Sequence, residues 1–323
     1  MRVYLKREFF SDREFVLVEN RNMKATAFKY STGVEAIKVE NKKGYFIILP
    51  FKGQQIWRLH FCGKDLHMKT MMEEPQQTKV YLDTYGAFLL HCGMTGMGKP
   101  APEDTHEQHG ETPSADYQMA YLECGDDYME VGGRYDYDKS FVRNYSFSPA
   151  CRLYEDDTVL KITATLENRR LKPLEYMYLC HINFRPIDGA EIIDCSKYQE
   201  EHLVGDGDQS IYDPEICFSI AYDADENNRA YTLQYTDEGA CYVNHPADVL
   251  PYGVRWISRT GNEDSMGMVL PATAEPNGYL YAKEHGQIKE LEGNGTLTFW
   301  MEAGYLEAER AKEIKEKIEM IKK

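Results

Sequence analysis

The sequence predicts an all-β protein, a large antiparallel β-sandwich with one short helix at the C-terminus. Between Thr158 and Glu167 the apolar side chains occupy every second position from Leu160 to Leu166, as in a strand with one buried face. The 24 Tyr and 13 Phe suit a pleated surface. Extended segments recur along the chain without regular alternation with helices, which favours antiparallel sheets over a parallel α/β fold.

Ten extended segments can be read along the chain in order. They are predicted at residues 15–18, 34–39, 44–49, 87–91, 158–167, 174–184, 216–222, 230–235, 265–269 and 296–301. Turn-forming residues separate several of them, as in Asn41-Lys-Lys-Gly44, Gly132-Gly133 and Glu292-Gly-Asn-Gly295. We therefore predict tight reversals at these three places.

The C-terminal segment 305–323 changes to a helical period. Ala308, Ala311, Ile318 and Ile321 fall on one face, and Glu and Lys fill the other. We predict a terminal helix docked on a single domain that spans residues 1–323, because no change of composition resembles a linker.

Length and charge exclude several classes of protein. The chain has 323 residues, 42% of them hydrophobic, and a net charge of −16 that would repel a nucleic-acid backbone. No apolar run approaches the roughly 20 residues of a membrane-spanning helix, so no membrane partner is expected. The N-terminus becomes charged too early for a secretory signal. These observations predict a cytoplasmic protein that binds neither nucleic acid nor membrane.

The eight cysteines are scattered and form no CxxC pair. A zinc or thioredoxin-type site therefore has no support, and most of the cysteines stand in apolar stretches. We predict buried, reduced thiols.

The longest stretch without a regular pattern runs from Gly93 to Asp116. Its segment Glu103–Glu111 holds two imidazoles, His106 and His109, and four carboxylates. Three interpretations are open: a divalent metal site with His and carboxylate ligands, a solvated acidic loop, or part of a polar substrate pocket.

A second candidate lies in the predicted strand 174–184. His181 follows Leu179 on one face of that strand, and Asn183 and Arg185 come next. The imidazole is either a hydrogen-bonded core histidine or a group placed to exchange a proton near neutral pH. The polar residues that follow favour a hydroxylated ligand.

A third candidate is the segment that holds Lys52, Gln54, Gln55 and Trp57. Paired amides can donate to and accept from sugar hydroxyls, and an indole can stack on a pyranose. The alternative is an edge turn with an exposed pair of glutamines.

Taken in order, several motifs suggest a family. They are Gly53-Gln-Gln-Ile-Trp57, His91-Cys-Gly93, His109-Gly-Glu111, the segment Tyr178–Pro186, and Leu270-Pro-Ala-Thr273. Over residues 45–300 the chain resembles the aldose 1-epimerase-like branch of the galactose mutarotase superfamily. The resemblance implies a large β-sandwich with a sugar cleft, and it requires no cofactor and no metal.

The resemblance also implies roles for single residues. His109 matches the substrate-holding histidine and His181 the general acid, while the position of the catalytic base is occupied by Leu270. Because leucine cannot take a proton, another carboxylate is needed, and Glu111 is preferred over Glu302. A second sugar-contacting carboxylate of the family has no clear match, although Asp213 or Glu215 falls in about the right place.

The expected function is therefore interconversion of sugar anomers by general acid/base proton transfer. His181, His109 and Glu111 would be catalytic, with Gln54, Gln55, Trp57, Asn183, Arg185 and Lys52 binding the sugar. Two alternatives stay open, a non-catalytic carbohydrate-binding protein and a metal-dependent sugar isomerase using His106, His109 and Glu111. The partner would be a small-molecule sugar, and the protein a monomer or homodimer.

Overall fold

Two antiparallel sheets dominate the computed structural model, which describes residues 1–196, 202–203 and 213–323. The first sheet has ten strands. In spatial order they are β1 (Arg2–Tyr4), β9 (Met119–Cys124), β10 (Tyr128–Lys139), β11 (Arg143–Tyr154), β12 (Val159–Asn168), β22 (Thr296–Glu307), β18 (Gly239–Pro246), β17 (Arg229–Thr236), β14 (Glu191–Asp194) and β15 (His202–Leu203).

The second sheet has twelve strands. In spatial order its main path is β16 (Ile216–Ala221), β19 (Tyr252–Arg259), β20 (Asp264–Ala272), β13 (Leu174–Ile182), β8 (Leu89–Met94), β6 (Ile56–Phe61), β5 (Gly44–Ile48), β4 (Glu35–Asn41), β3 (Lys24–Lys29) and β2 (Phe15–Glu19). Two short strands lie off this path, β7 (Lys64–Asp65) beside β6 and β21 (Lys289–Leu291) beside β13. The predicted all-β antiparallel sandwich is confirmed.

The main hydrophobic core lies between the sheets. Tyr178 of β13 stacks on Phe299 of β22 with ring centroids 4.3 Å apart, and both rings are fully buried. Because side chains alternate along a strand, Leu179 and His181 point to the other face of the second sheet. That outer face carries the site discussed below.

The predicted C-terminal helix is confirmed, and its bounds are Ala308–Ile321. It begins later than residue 305 because 305–307 complete β22. Ala311 and Ile318 are buried in a second apolar cluster together with Tyr231 and Leu306. One further short helix spans Tyr279–Glu284, and 3₁₀ turns span Arg7–Phe9 and Tyr81–Thr84. In the described residues no helix is both long enough and apolar enough to span a bilayer.

The predicted reversal at Gly132-Gly133 is wrong, because both glycines lie inside β10. A β-carbon on Gly132 would stand 2.5 Å from the Tyr121 hydroxyl, and one on Gly133 would stand 2.5 Å from Nε2 of Gln54. These glycines therefore make room for neighbouring side chains rather than for a turn.

All eight cysteines lie in the described residues and none is paired, as predicted. Five of them are buried, and Cys217 is exposed.

Several buried histidines make the fold sensitive to acid. His245 in β18 is fully buried, and neither ring nitrogen has a hydrogen-bond partner among the residues that the structure describes. Burial lowers its pKa to about 3 and that of His91 likewise to about 3. Between an unfolded pKa of about 6.5 and these folded values, only the unfolded chain binds the proton, so stability falls as the pH is lowered.

We predict that His245→Leu leaves the free energy of unfolding at pH 7 unchanged or higher, because it removes two unpartnered polar atoms from the core. Between pH 6 and pH 4 the His245 side chain should cost the parent protein about 1.4 kcal/mol of unfolding free energy per pH unit, and the variant should not show this loss. Urea denaturation at pH 7, 6, 5 and 4 measures both effects. The exposed His285→Leu is the control, and an identical pH dependence for the His245 variant and the parent would contradict the prediction.

Candidate functional site

A pocket of about 270 Å³ opens on the outer face of the second sheet. Strands β13, β19 and β20 form its floor, to which they contribute Leu179, Val254 and Leu270. Three other segments cover it, around Tyr81–Tyr85, Gly98–His109 and Pro276–Asn277. Small-molecule sites start at roughly 300 Å³, so the pocket suits a ligand about the size of one sugar ring.

His181 reaches the pocket from β13. Its Nδ1 is 2.8 Å from Oδ1 of Asn183, two residues further along the same face. The Asn183 amide is itself held, since its Nδ2 donates to the Ala87 carbonyl at 2.9 Å and its Oδ1 accepts from the Tyr85 hydroxyl at 3.2 Å. Asn183 therefore orients the imidazole and is fully buried beneath it.

His109 reaches the pocket from the segment 95–118 between β8 and β9. Its N–H donates to the Gly98 carbonyl at 3.0 Å, and its carbonyl accepts from the N–H of Gly93 at 2.9 Å. The backbone of His109 lies in the left-handed region, with φ at +59°. Such conformations cost energy in residues other than glycine and concentrate at functional sites.

The structure brings the two histidines together. Their ring centroids are 5.3 Å apart in an edge-to-face arrangement. Tyr81 lies 4.7 Å from the His109 ring, and Trp256 lies 5.4 Å from the His181 ring. The two imidazoles are thus in contact, and an aromatic side chain flanks each of them.

Both imidazoles are neutral at pH 7. Burial lowers the pKa of His181 to about 4, and the hydrogen bond to Asn183 offsets this only in part. Burial, and then the neighbouring His181 and His106, hold the pKa of His109 well below its usual value. The pair can accept or donate hydrogen bonds without carrying charge.

Among the described carboxylates, that of Glu215, just before β16, lines the pocket. Its Oε2 accepts from the indole Nε1 of Trp256 at 2.5 Å. Lys99 lines the same pocket. Glu215 is one of the two positions proposed for a second sugar-contacting carboxylate, whereas Asp213 does not line the pocket.

The structure does not bring Glu111 to the pocket, which corrects the expectation that it is the base. Its carboxylate accepts hydrogen bonds from the Thr95 hydroxyl at 2.5 Å and from the Tyr145 hydroxyl. Glu302 is also elsewhere, in the first sheet, where it pairs with Lys161 at 2.6 Å. Both carboxylates serve local structure.

Four predicted sugar contacts also lie away from the pocket. The Gln54 and Gln55 amides are buried and donate to the Pro50 and Pro113 carbonyls, at 2.5 and 2.7 Å. Trp57 is fully buried, and the Lys52 ammonium donates to the Thr78 carbonyl. This segment therefore anchors loops and exposes no edge turn.

Arg185, which was predicted to bind the sugar, also lies away from the pocket. Its backbone N–H donates to the Leu66 carbonyl at 2.8 Å, and its Nε donates to the His67 carbonyl at 3.3 Å. Arg185 therefore does not line the pocket.

The polar side chains of the segment 103–111 do not converge on one ligand position. His106 Nε2 accepts from the N–H of Tyr279 at 3.3 Å, while its Nδ1 is 2.7 Å from the Glu107 carbonyl. Among the described residues no three His, Cys, Asp or Glu side chains form a group able to hold a metal ion. His106 and His109 are neighbours, but together with Glu111 they do not form a set of metal ligands.

Sequence reasoning missed three aromatic wall residues: Tyr81, Tyr85 and Trp256. The two tyrosines are four positions apart around a 3₁₀ turn, and that spacing could have signalled a shared face. Trp256 lies two positions after Val254 in β19, and the register shifts between these residues. The alternation of side chains along a strand therefore does not predict that Trp256 faces the pocket.

Comparisons with known proteins add a family and a fold. A family model described as a domain of unknown function, DUF4432, matches residues 31–304. The chain belongs to the DUF4432 family. No curated protein matches the sequence.

Solved structures share the architecture of this DUF4432 protein. A candidate aldose 1-epimerase from Klebsiella pneumoniae is 14% identical, with a TM-score of 0.86 over 96% of this chain and 92% of its own. A galactose mutarotase-like protein from Clostridium acetobutylicum is also 14% identical, with a TM-score of 0.66 over 89% of this chain and 100% of its own. The fold is therefore galactose mutarotase-like, which confirms the resemblance at the level of the fold.

The exposed thiol of Cys217 offers a chemical probe of this pocket. Partial desolvation and, secondarily, the Glu215 carboxylate raise its pKa to about 11. Because Cys217 is the exposed one of the eight described thiols, we predict that iodoacetamide modifies it before the other cysteines. Since the thiolate is the reactive form, the reaction should become about tenfold faster per pH unit between pH 7 and pH 10. Glu215→Gln should speed the reaction.

Mass spectrometry of digested protein identifies the modified cysteine, and Cys217→Ser is the control. Earlier modification of any other cysteine would contradict this description of the pocket.

Proposed function

We propose that this protein is an aldose 1-epimerase-like enzyme that interconverts the anomers of a free monosaccharide by general acid/base proton transfer. The observation that carries the proposal is the meeting of His109 and His181, 5.3 Å apart, in a pocket of one-ring size. The eight unpaired cysteines favour a reducing compartment such as the cytoplasm.

The pocket offers what this reaction needs. Opening a cyclic hemiacetal moves a proton from the anomeric hydroxyl to the ring oxygen, so groups that take and give protons must face one ring. Neutral imidazoles suit this task at pH 7. Glu215 can accept hydrogen bonds from hydroxyls, and the Trp256 indole can pack on the CH face of a pyranose.

A second candidate function is sugar binding without turnover. It is favoured by Leu270, which lines the floor at the position aligned with the catalytic base. In that case the pocket would retain affinity for a sugar and leave its anomeric exchange at the buffer rate.

We predict that the protein accelerates anomeric exchange of at least one sugar in a panel of aldoses, measured by one-dimensional exchange NMR at pH 7. His181→Asn should lower kcat by about 10² to 10⁴, because asparagine can keep the donor to Asn183 but has no counterpart of Nε2. His109→Asn should also lower the rate, and asparagine tolerates the left-handed backbone at this position.

The exposed His285→Asn, outside the pocket, is the matched control and should retain full activity. Exchange at the buffer rate for every sugar would refute the enzyme, and a sugar-dependent rise in melting temperature would then establish the binding protein. Full activity in His181→Asn would exclude His181 as a catalytic residue.

A further inference from the structure

The hydrogen bonds beneath the pocket determine which nitrogen of His181 carries a proton. Nδ2 of Asn183 donates to the Ala87 carbonyl, so its Oδ1 must face Nδ1 of His181. The opposite orientation of the amide would place two oxygens against each other. Because Oδ1 only accepts, Nδ1 of His181 is the donor, and Nε2 of the neutral ring is unprotonated.

The surroundings of His109 give the opposite result. Its Nδ1 is buried without a hydrogen-bond partner in the described residues. An orphaned N–H is rarer in protein interiors than an orphaned acceptor, so the neutral ring places its proton on Nε2. The ring lines the pocket, where Nε2 is the nitrogen left for a ligand.

We infer that the two histidines are held as opposite tautomers, with His181 offering an unprotonated Nε2 and His109 offering Nε2–H to the substrate. Asn183 and Tyr85 are the positioning residues that fix the first of these states. The inference rests on the proposed function for its chemical meaning, and it reverses the role of general acid that the family resemblance implies for His181.

The reaction then balances within one pocket. Nε2 of His181 takes the proton of the anomeric hydroxyl while the bond between C1 and the ring oxygen breaks and C1 becomes a carbonyl. Nε2–H of His109 donates a hydrogen bond to the ring oxygen as negative charge develops there. In the cyclic form both oxygens are attached to C1, so His181 lies within reach of the ring oxygen and gives it the proton, which leaves the open-chain aldehyde and two neutral histidines. After rotation about the bond between C1 and C2, the hydroxyl so formed attacks the other face of the carbonyl, and His181 takes its proton and returns it to the carbonyl oxygen, which gives the second anomer.

The tautomers can be read directly from the full-length protein labelled with ¹⁵N-histidine. At pH 7, long-range ¹H–¹⁵N spectra should show a protonated Nδ1 and an unprotonated Nε2 for His181, with the reverse for His109. The spectra of His181→Asn and His109→Asn assign the signals. A protonated Nε2 on His181, an unprotonated Nε2 on His109, or a charged ring at either position, would overturn the inference.

The pH dependence of kcat/KM separates the two roles of His181. If Nε2 accepts the proton, kcat/KM is constant from pH 6 to pH 8 and falls at lower pH, with a midpoint near the lowered pKa of about 4. A rate that declines steadily as the pH rises from 5 to 8 would identify a general acid and overturn the inference.

Asn183→Asp provides a readout that a merely structural role would not give. A carboxylate beside Nδ1 favours the charged imidazole, so the midpoint of the acid limb should move up by at least one pH unit. His285→Asn, outside the pocket, should leave that midpoint within a few tenths of a unit. An unshifted midpoint in folded Asn183→Asp would remove Asn183 as a positioning residue.

The NMR measurement keeps the two proposals distinguishable. The expected tautomers without any sugar exchange would refute only the proposed function, and sugar exchange with the wrong tautomers would refute only this inference. The spectra of the unsubstituted protein require no sugar and no activity.

Discussion

Backbone hydrogen bonds around the end of β8 are the constraint on which the pocket depends. The Gly93 N–H donates to the His109 carbonyl at 2.9 Å, and the Gly93 carbonyl accepts from the N–H of Thr112 at 3.1 Å. A β-carbon on Gly110 would stand 2.2 Å from that same carbonyl oxygen. An isolated bridge between Gly93 and Gly110 therefore ties the segment 95–118 to β8, and this holds the His109 ring beside β13.

The electrostatics of the pocket follow from what surrounds the imidazoles. A carboxylate at position 270 would favour a charged His181, but the floor there is the side chain of Leu270. The neutral Asn183 amide satisfies Nδ1 without stabilising charge strongly, so burial dominates and the pKa of His181 falls to about 4. The neutral state of His181 thus follows from its burial beside a floor that carries no charge.

The alternation of apolar and polar side chains predicted the strands that bury one face, such as β12, and the helical period predicted the C-terminal helix. It failed for β10, where Gly132 and Gly133 sit inside a strand. The approach of His109 and His181 needed the family resemblance, because pairing distant strands has no local signature. Gln54 was misassigned because residue type does not reveal whether a bend faces solvent or core, and Glu215 was only partly recognised because its place depends on β16 pairing with β19.

The long-range pairing of the first sheet has a consequence for folding kinetics. Val159 of β12 pairs with Gly304 of β22, and Val3 of β1 pairs with Leu122 of β9. Such separations raise the contact order, and chains dominated by non-local pairing fold slowly because loop-closure entropy is lost before contacts form. Strands β13, β19 and β20 must assemble with segment 95–118 before the pocket exists, so the pocket forms only when the tertiary structure is complete.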